Sequence, residues 1–243
     1  MAMNQFDYRV DVLAIGAHPD DVEIGCGGTL ALLARWGHRV AILDLTRGER
    51  GTRGTPEERA QEAQKAARIL GADYRDCVGL PDGGLEDTAS QREAIIPYIR
   101  KYRPRVILTL MSPDRHPDHA TCHHLARAAN YLSGLARVDT GQTHYRAPHV
   151  YYFHPYVDVS TTAPTFILNV TDTFDIKLEA LRAYASQFYN PDYPGEETFI
   201  STPAFWQGIE TRSRYWGGRI GVEHGEPFYA LGPMGLAGIP GLG

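Results

Sequence analysis

The sequence predicts an α/β protein with a Rossmann-like, doubly wound and mostly parallel sheet carrying helices on both faces. Three observations lead there. Short, nearly continuous apolar runs alternate with amphipathic stretches, the pattern of strands buried on both sides by helical crossovers. Hydrophobic residues make up 43% and charged residues 22% of the 243, an ordinary globular balance, and 25 Gly with 16 Pro stay below low-complexity content. The length suits one large domain, expected to span 1–243 with a less regular part from about 145.

Each element has a local reason. Residues 8–17 (YRVDVLAIGA) form a short apolar run that ends at Gly16 and a His-Pro turn, as a buried strand does. Residues 24–36 read as a helix that is apolar on most sides, and 38–45 as the second strand. The next helix, 56–70, has a marked start: Thr55 caps, Pro56 takes the first helical position, and Glu58 completes a T-x-x-E box. Residues 74–78 suggest a third strand, 90–102 a helix, 105–110 (RVILTL) a fourth strand, and Pro117 opens a helix to about 131. Parallel neighbours joined by helices of one hand give the doubly wound order. Beyond that, 149–155 and 166–170 are expected strands, and 173–186 and 203–215 expected helices. The aromatic, Pro-rich stretch 188–203 has no clear period and is expected to be a lid or a packed surface loop. The Gly- and Pro-rich tail 230–243 is expected to be irregular.

Composition also excludes. Against 29 acidic residues stand 24 Lys and Arg, a net charge of −5 that offers no global field for a phosphate backbone, so nucleic acid is not an expected partner. No uninterrupted apolar run nears the roughly 18 residues of a membrane span, and the start MAMNQFDYR lacks the apolar stretch of a signal peptide. Three widely spaced cysteines, Cys26, Cys77 and Cys122, do not make a disulfide framework and fit a reducing compartment. A cytoplasmic protein without a membrane partner is expected.

Ligands in such sheets bind beyond the carboxyl ends of strands, where strand order reverses. After the first strand come His18-Pro19-Asp20-Asp21, and after the fourth Asp114-Arg115-His116-Pro117-Asp118-His119. A nucleotide reading fails, because the turn lacks G-x-G-x-x-G and two carboxylates sit where a pyrophosphate needs bare backbone donors. Carboxylates and imidazoles there call for a divalent cation, which in a catalytic zinc site takes three protein ligands and leaves a fourth position open. His18 and Asp21 can supply two ligands. His116, His119 and His123 share a helix face, and spacing does not choose the third among them.

At these residues the chain resembles the LmbE-like (PIG-L) family of zinc-dependent N-acetylglucosamine deacetylases, in particular its bacillithiol-biosynthesis branch. The resemblance rests on AIGAHPDDVEIGCGGTL, LTRGERGTRGTPEERAQEA, LPDGGL, SPDRHPDHA and the later SQFY, FISTPAFW and GEPF strings, and it runs from about 11 to 228. It implies His18, Asp21 and His119 as ligands of one divalent metal, zinc first and iron as the alternative. Asp20 becomes the general base toward a water made more acidic by the cation. His116, as an imidazolium, stabilises the oxyanion and protonates the leaving amine, with Asp118 holding and polarising it. Arg59 and Asp82 map onto residues that hold sugar hydroxyls. The branch's substrate, N-acetylglucosaminyl malate, carries carboxylates that Arg47, Arg50 or Arg53 can meet.

One departure stands out: some members supply a C-terminal tyrosine to the oxyanion, and Phe205 falls near that position here. Tyr189 or Tyr193 substitutes, or His116 acts alone. Cys26, Cys122, His123 and His124 are expected in packing roles. The expected partner is a small glycoside, and a homo-oligomer is allowed. Alternatives to deacetylation are a thiol-sugar conjugate amidase, a noncatalytic metal-containing sugar-binding protein, and an iron oxygenase with a two-His, one-carboxylate triad. The oxygenase reading leaves Asp20 and the His116/Asp118 pair without a task.

Overall fold

A computed structural model describes residues 8–155 and 163–235. Five parallel strands, β1 (Val12–Gly16), β2 (Val40–Thr46), β3 (Tyr74–Leu80), β4 (Val106–Leu110) and β5 (His149–Phe153), lie in the order β3-β2-β1-β4-β5. Strand β1 is shorter than the predicted 8–17 and fully buried, as a central parallel strand covered on both faces must be. The crossover helices are α1 (Asp21–Arg35), α2 (Pro56–Leu70), α3 (Ala89–Tyr102) and α4 (Pro117–Ser133). With α5 (Phe174–Arg182), α1 and α2 pack together, whereas α3 packs on α4. Strand order reverses between β1 and β4, so the loops following these two strands meet there.

Helix α2 begins as predicted, with Thr55 accepting from the Glu58 amide at 3.1 Å and the Glu58 carboxylate returning to the Thr55 amide at 3.4 Å. Helix α1 starts three residues earlier than the expected 24, because the His-Pro-Asp-Asp turn closes on itself. The His18 amide donates to Asp21 Oδ2 at 2.8 Å, and the Ile24 amide to the Asp20 carbonyl at 2.9 Å. The helix breaks at Cys26 (φ −143°, ψ 21°), and there it presses on the sheet. A Cβ on Gly25 would lie 2.1 Å from the Phe153 ring, so β5 and α1 approach as closely as they do because position 25 has no side chain.

The break frees amides that need a new acceptor. Glu226 provides it, taking the Gly28 and Thr29 amides at 3.0 and 2.7 Å, with buried Lys177 at 2.5 Å from the same carboxylate. Glu226 lies on β7 (Gly225–Phe228), which pairs antiparallel with β6 (Phe166–Asn169) in a second, two-stranded sheet. Strand β7 was not expected, since Gly-Glu-Pro-Phe lacks β-branched residues; it forms through tertiary pairing and its buried carboxylate. Helix α6 (Pro203–Gly218) runs three residues beyond the expected end, and α5 is shorter than expected. From 236 onward the predicted irregular tail lies outside the described residues. Among those described, no helix is long and apolar enough to cross a membrane.

Candidate metal centre and hydrolytic site

The β1 and β4 loops form one cleft of about 280 Å³, lined by His18, Asp20, Asp21, Arg59, Asp82, His116 and His119, with Arg50, Gln187 and Ile200 at its sides. Asp20 caps α1 at φ 119°, a left-handed conformation that a non-glycine residue adopts at a cost of roughly 1–3 kcal/mol. The result is that two adjacent carboxylates diverge. Asp21 Oδ1 meets His119 Nε2 at 3.1 Å, and Oδ2 lies 3.5 Å from His18 Nδ1. Asp20 Oδ2 is held by Arg59 Nη2 at 3.2 Å, and its Oδ1 makes no hydrogen bond among the described residues.

His18, Asp21 and His119 are thus neighbours and buried, with the two imidazole ring centres 5.4 Å apart. Their chemistry fits a divalent metal: two imidazole nitrogens and a carboxylate oxygen, with Asp114 Oδ1 3.2 Å from His119 Nδ1 to fix that ring. Among the described residues, the side-chain sets whose ligand atoms all lie within 4.8 Å of one another are His18/His116/His119 and His18/Asp82/Asp118; the expected trio of His18, Asp21 and His119 is not one of them and is joined pairwise through Asp21. Asp20, Asp21, Asp82, Asp114 and Asp118 crowd the same region, a negative excess that a cation would balance. Burial opposes charge on His119, but the Asp21 and Asp114 carboxylates outweigh it and hold the imidazolium up to about 9. Metal binding there displaces a proton. For Asp20, burial dominates and pushes the carboxyl up to about 7, with the Arg59 charge working against it.

Three expectations need correction or choice. The Asp118 carboxylate does not hold the His116 ring. It accepts from the Gly83 amide at 2.7 Å and the Leu85 amide at 3.3 Å, and lies 3.2 Å from His18 Nε2. What touches His116 is the Asp118 backbone amide, which donates to Nδ1 at 3.2 Å because His116 caps α4. An accepting Nδ1 puts the ring's single proton on Nε2. Burial, then the His119 and His18 charges, hold the His116 pKa below its usual value, which works against the expected imidazolium. Arg59, expected on sugar hydroxyls, lines the cleft but also binds the Gly48 and Pro19 carbonyls, both at 2.9 Å, and clamps Asp20. Asp82 lines the cleft with Oδ1 3.0 Å from His18 Nε2 and Oδ2 taking the Arg50 amide at 2.7 Å.

No tyrosine lines the cleft among the described residues. Phe205 is buried in an aromatic cluster with Phe188 and Phe199, Tyr189 is exposed, and the Tyr193 hydroxyl donates to Glu58 at 2.9 Å. That bond packs the 188–203 loop on α2, and Ile200 carries the loop into the cleft. Of the three loop arginines, Arg50 lines the cleft, whereas Arg53 is buried over the Tyr193 ring. Cys26 and Cys122 are buried, and His123 packs on Tyr152 with Nδ1 3.1 Å from the Leu110 carbonyl. Sequence reasoning passed over Asp114, though it stands within the second motif, and Gln187, for which only the SQFY string gave a signal.

Comparison with known proteins gives a family and several relatives. The family described as PIG-L, GlcNAc-PI de-N-acetylase, matches residues 13–130, which hold every predicted site residue. The diacetylchitobiose deacetylase of Thermococcus kodakarensis is 30% identical over 238 residues, covering 88% of this chain and 86% of the relative. Among solved structures, the conserved protein TT1542 from Thermus thermophilus superposes with a TM-score of 0.83 at 38% identity, covering 93% of this chain and 97% of that one. N,N'-diacetylchitobiose deacetylase from Pyrococcus horikoshii, complexed with its inhibitor MPG, gives 0.75 at 26% identity over 94% of this chain and 86% of that one.

Proposed function

The chain belongs to the PIG-L family of de-N-acetylases, and on that premise we propose that it hydrolyses the acetamide of a small N-acetylglucosamine-containing substrate with the help of one divalent metal, zinc first. The observation that carries the reading is the divergence of Asp20 and Asp21: the Asp21 carboxylate joins His18 and His119, and the Asp20 carboxylate keeps one oxygen clear of any donor among the described residues in the same cleft.

Held by His18, Asp21 and His119, the metal supplies Lewis-acid polarisation of the acetamide and a more acidic water. Asp20 takes the proton from the attacking water, and a carboxylate near 7 suits general-base work at neutral pH. His116 presents its Nε2 proton to the developing oxyanion, no tyrosine lining the cleft among the described residues. With that proton engaged, the one needed by the departing amine is assigned to Asp20, which has just acquired it. Arg59 fixes the base, and Asp82 lines the wall the sugar meets.

For the substrate we propose N-acetylglucosaminyl malate, the bacillithiol precursor. Arg50, exposed at the cleft, supports a carboxylate-bearing aglycone. A second reading, N,N'-diacetylchitobiose, is favoured by the T. kodakarensis relative. The three free cysteines among the described residues fit the proposed cytoplasmic setting.

Acetate release from both substrates, before and after chelation and with zinc or iron restored, tests the proposal. Metal-dependent acetate from either supports deacetylation, and Arg50→Ala should raise KM for the malate glycoside alone. Release of a larger acyl group in place of acetate would favour the amidase. Sugar binding without turnover in the metal-loaded protein would favour the noncatalytic reading.

A further inference from the structure

Gln187 lines the cleft from the far side of the sequence, and its hydrogen bonds determine which way its amide faces. Nε2 lies 2.6 Å from the Arg53 carbonyl and 2.9 Å from Ser186 Oγ. A carbonyl oxygen accepts and never donates, so the atom beside it must be the nitrogen; the flipped amide would set two oxygens against each other. Ser186 Oγ is also committed as an acceptor here, because its own proton goes to Glu62 Oε2 at 2.6 Å, while the Ser186 amide donates to Glu62 Oε1 at 2.8 Å. Both amide hydrogens of Gln187 are therefore spent on the protein. Its Oε1 accepts nothing among the described residues.

The cleft's other acceptors are committed differently. Both Asp82 oxygens and Asp20 Oδ2 have protein partners, and Asp20 Oδ1 is reserved for the proton of the reaction. Gln187 Oε1 is a neutral acceptor without a catalytic task, on a cleft-lining side chain whose amide nitrogen is fixed by two hydrogen bonds.

We infer that Gln187 is a specificity-determining residue that accepts a hydrogen bond through Oε1 from a ring hydroxyl of the sugar bearing the acetamide. The inference rests on the proposed deacetylation of an N-acetylglucosaminide. A contact made equally to bound substrate and transition state changes KM and leaves kcat nearly unchanged.

The test pairs variants with substrate analogues. Metal-loaded wild type, Gln187→Met and Ser186→Ala are compared on the N-acetylglucosaminide and on its 3-, 4- and 6-deoxy forms, by acetate release and by calorimetric binding. Gln187→Met should raise KM for the parent by roughly threefold to tenfold, what one neutral hydrogen bond contributes, and should have no further effect on one of the deoxy analogues. Ser186→Ala loosens the same anchor but keeps Oε1, so it should raise KM for the parent by less than Gln187→Met does and have no further effect on the same deoxy analogue. If Gln187→Met lowers activity or affinity equally for all four, Gln187 serves only to brace the Arg53 loop and the inference is overturned. Coupling in the binding arm without acetate release would support the hydroxyl contact and overturn the deacetylase reading instead.

Discussion

Replacing Asp20 by Asn separates proton transfer from every other property of the residue. The backbone at 20 is left-handed (φ 119°), and Asn tolerates that region better than other side chains with a Cβ, so the turn should survive where Ala would strain it. The amide oxygen can still accept from Arg59, which also keeps the Gly48 and Pro19 carbonyls. Two effects on stability oppose each other: Arg59 loses a charged partner, and a carboxylate that burial makes costly to ionise disappears. A net change within about 1 kcal/mol is expected. The loss of the proton acceptor should lower kcat by roughly 10²–10⁴, or about 2.7–5.4 kcal/mol of transition-state stabilisation. Acetate release measured beside metal content and thermal melting checks all three. Turnover within a few-fold of wild type, with metal and fold intact, would refute the assignment of the base.

Two further outcomes follow from the buried charges. Glu226→Gln strands Lys177 in the interior and weakens the cap on Gly28 and Thr29, so unfolding in denaturant should show a loss of about 3–5 kcal/mol, most of it recovered in Lys177→Met/Glu226→Gln. Burial holds the His123 imidazole down to about 4, against about 6.5 in the unfolded chain. The unfolded state therefore binds the extra proton first, and this residue's contribution to stability is full above pH 6.5 and declines as pH falls toward 4. His123→Asn, which keeps a donor for the Leu110 carbonyl, should flatten that acid limb relative to wild type; superimposable pH curves would contradict it.

The alternation of strands and helices and the α2 cap were legible because their causes are local or periodic: apolar runs, a T-x-x-E box, a proline at the first helical position. The meeting of the two His/Asp motifs followed from the switch point of the sheet. What escaped the sequence depends on partners far along the chain. Strand β7 exists because Glu226 answers amides, that of Gly28 being 198 residues away, freed by a helix break. The Asp118 carboxylate faces His18 instead of His116 because, at the start of a helix, residue 116 receives the backbone amide of 118 and the side chain turns to the Gly83 turn. The orientation of Gln187 is set by the Arg53 carbonyl, which no motif announces.

Metal content per chain after loading and gel filtration, for wild type, Asp21→Ala and Asp20→Asn side by side, reaches the core of this account. One divalent ion per chain in wild type and Asp20→Asn, and its loss in Asp21→Ala, is the expected pattern. Full occupancy in Asp21→Ala would show that His18 and His119 grip the ion with other ligands, and the division of labour between the adjacent carboxylates would fall.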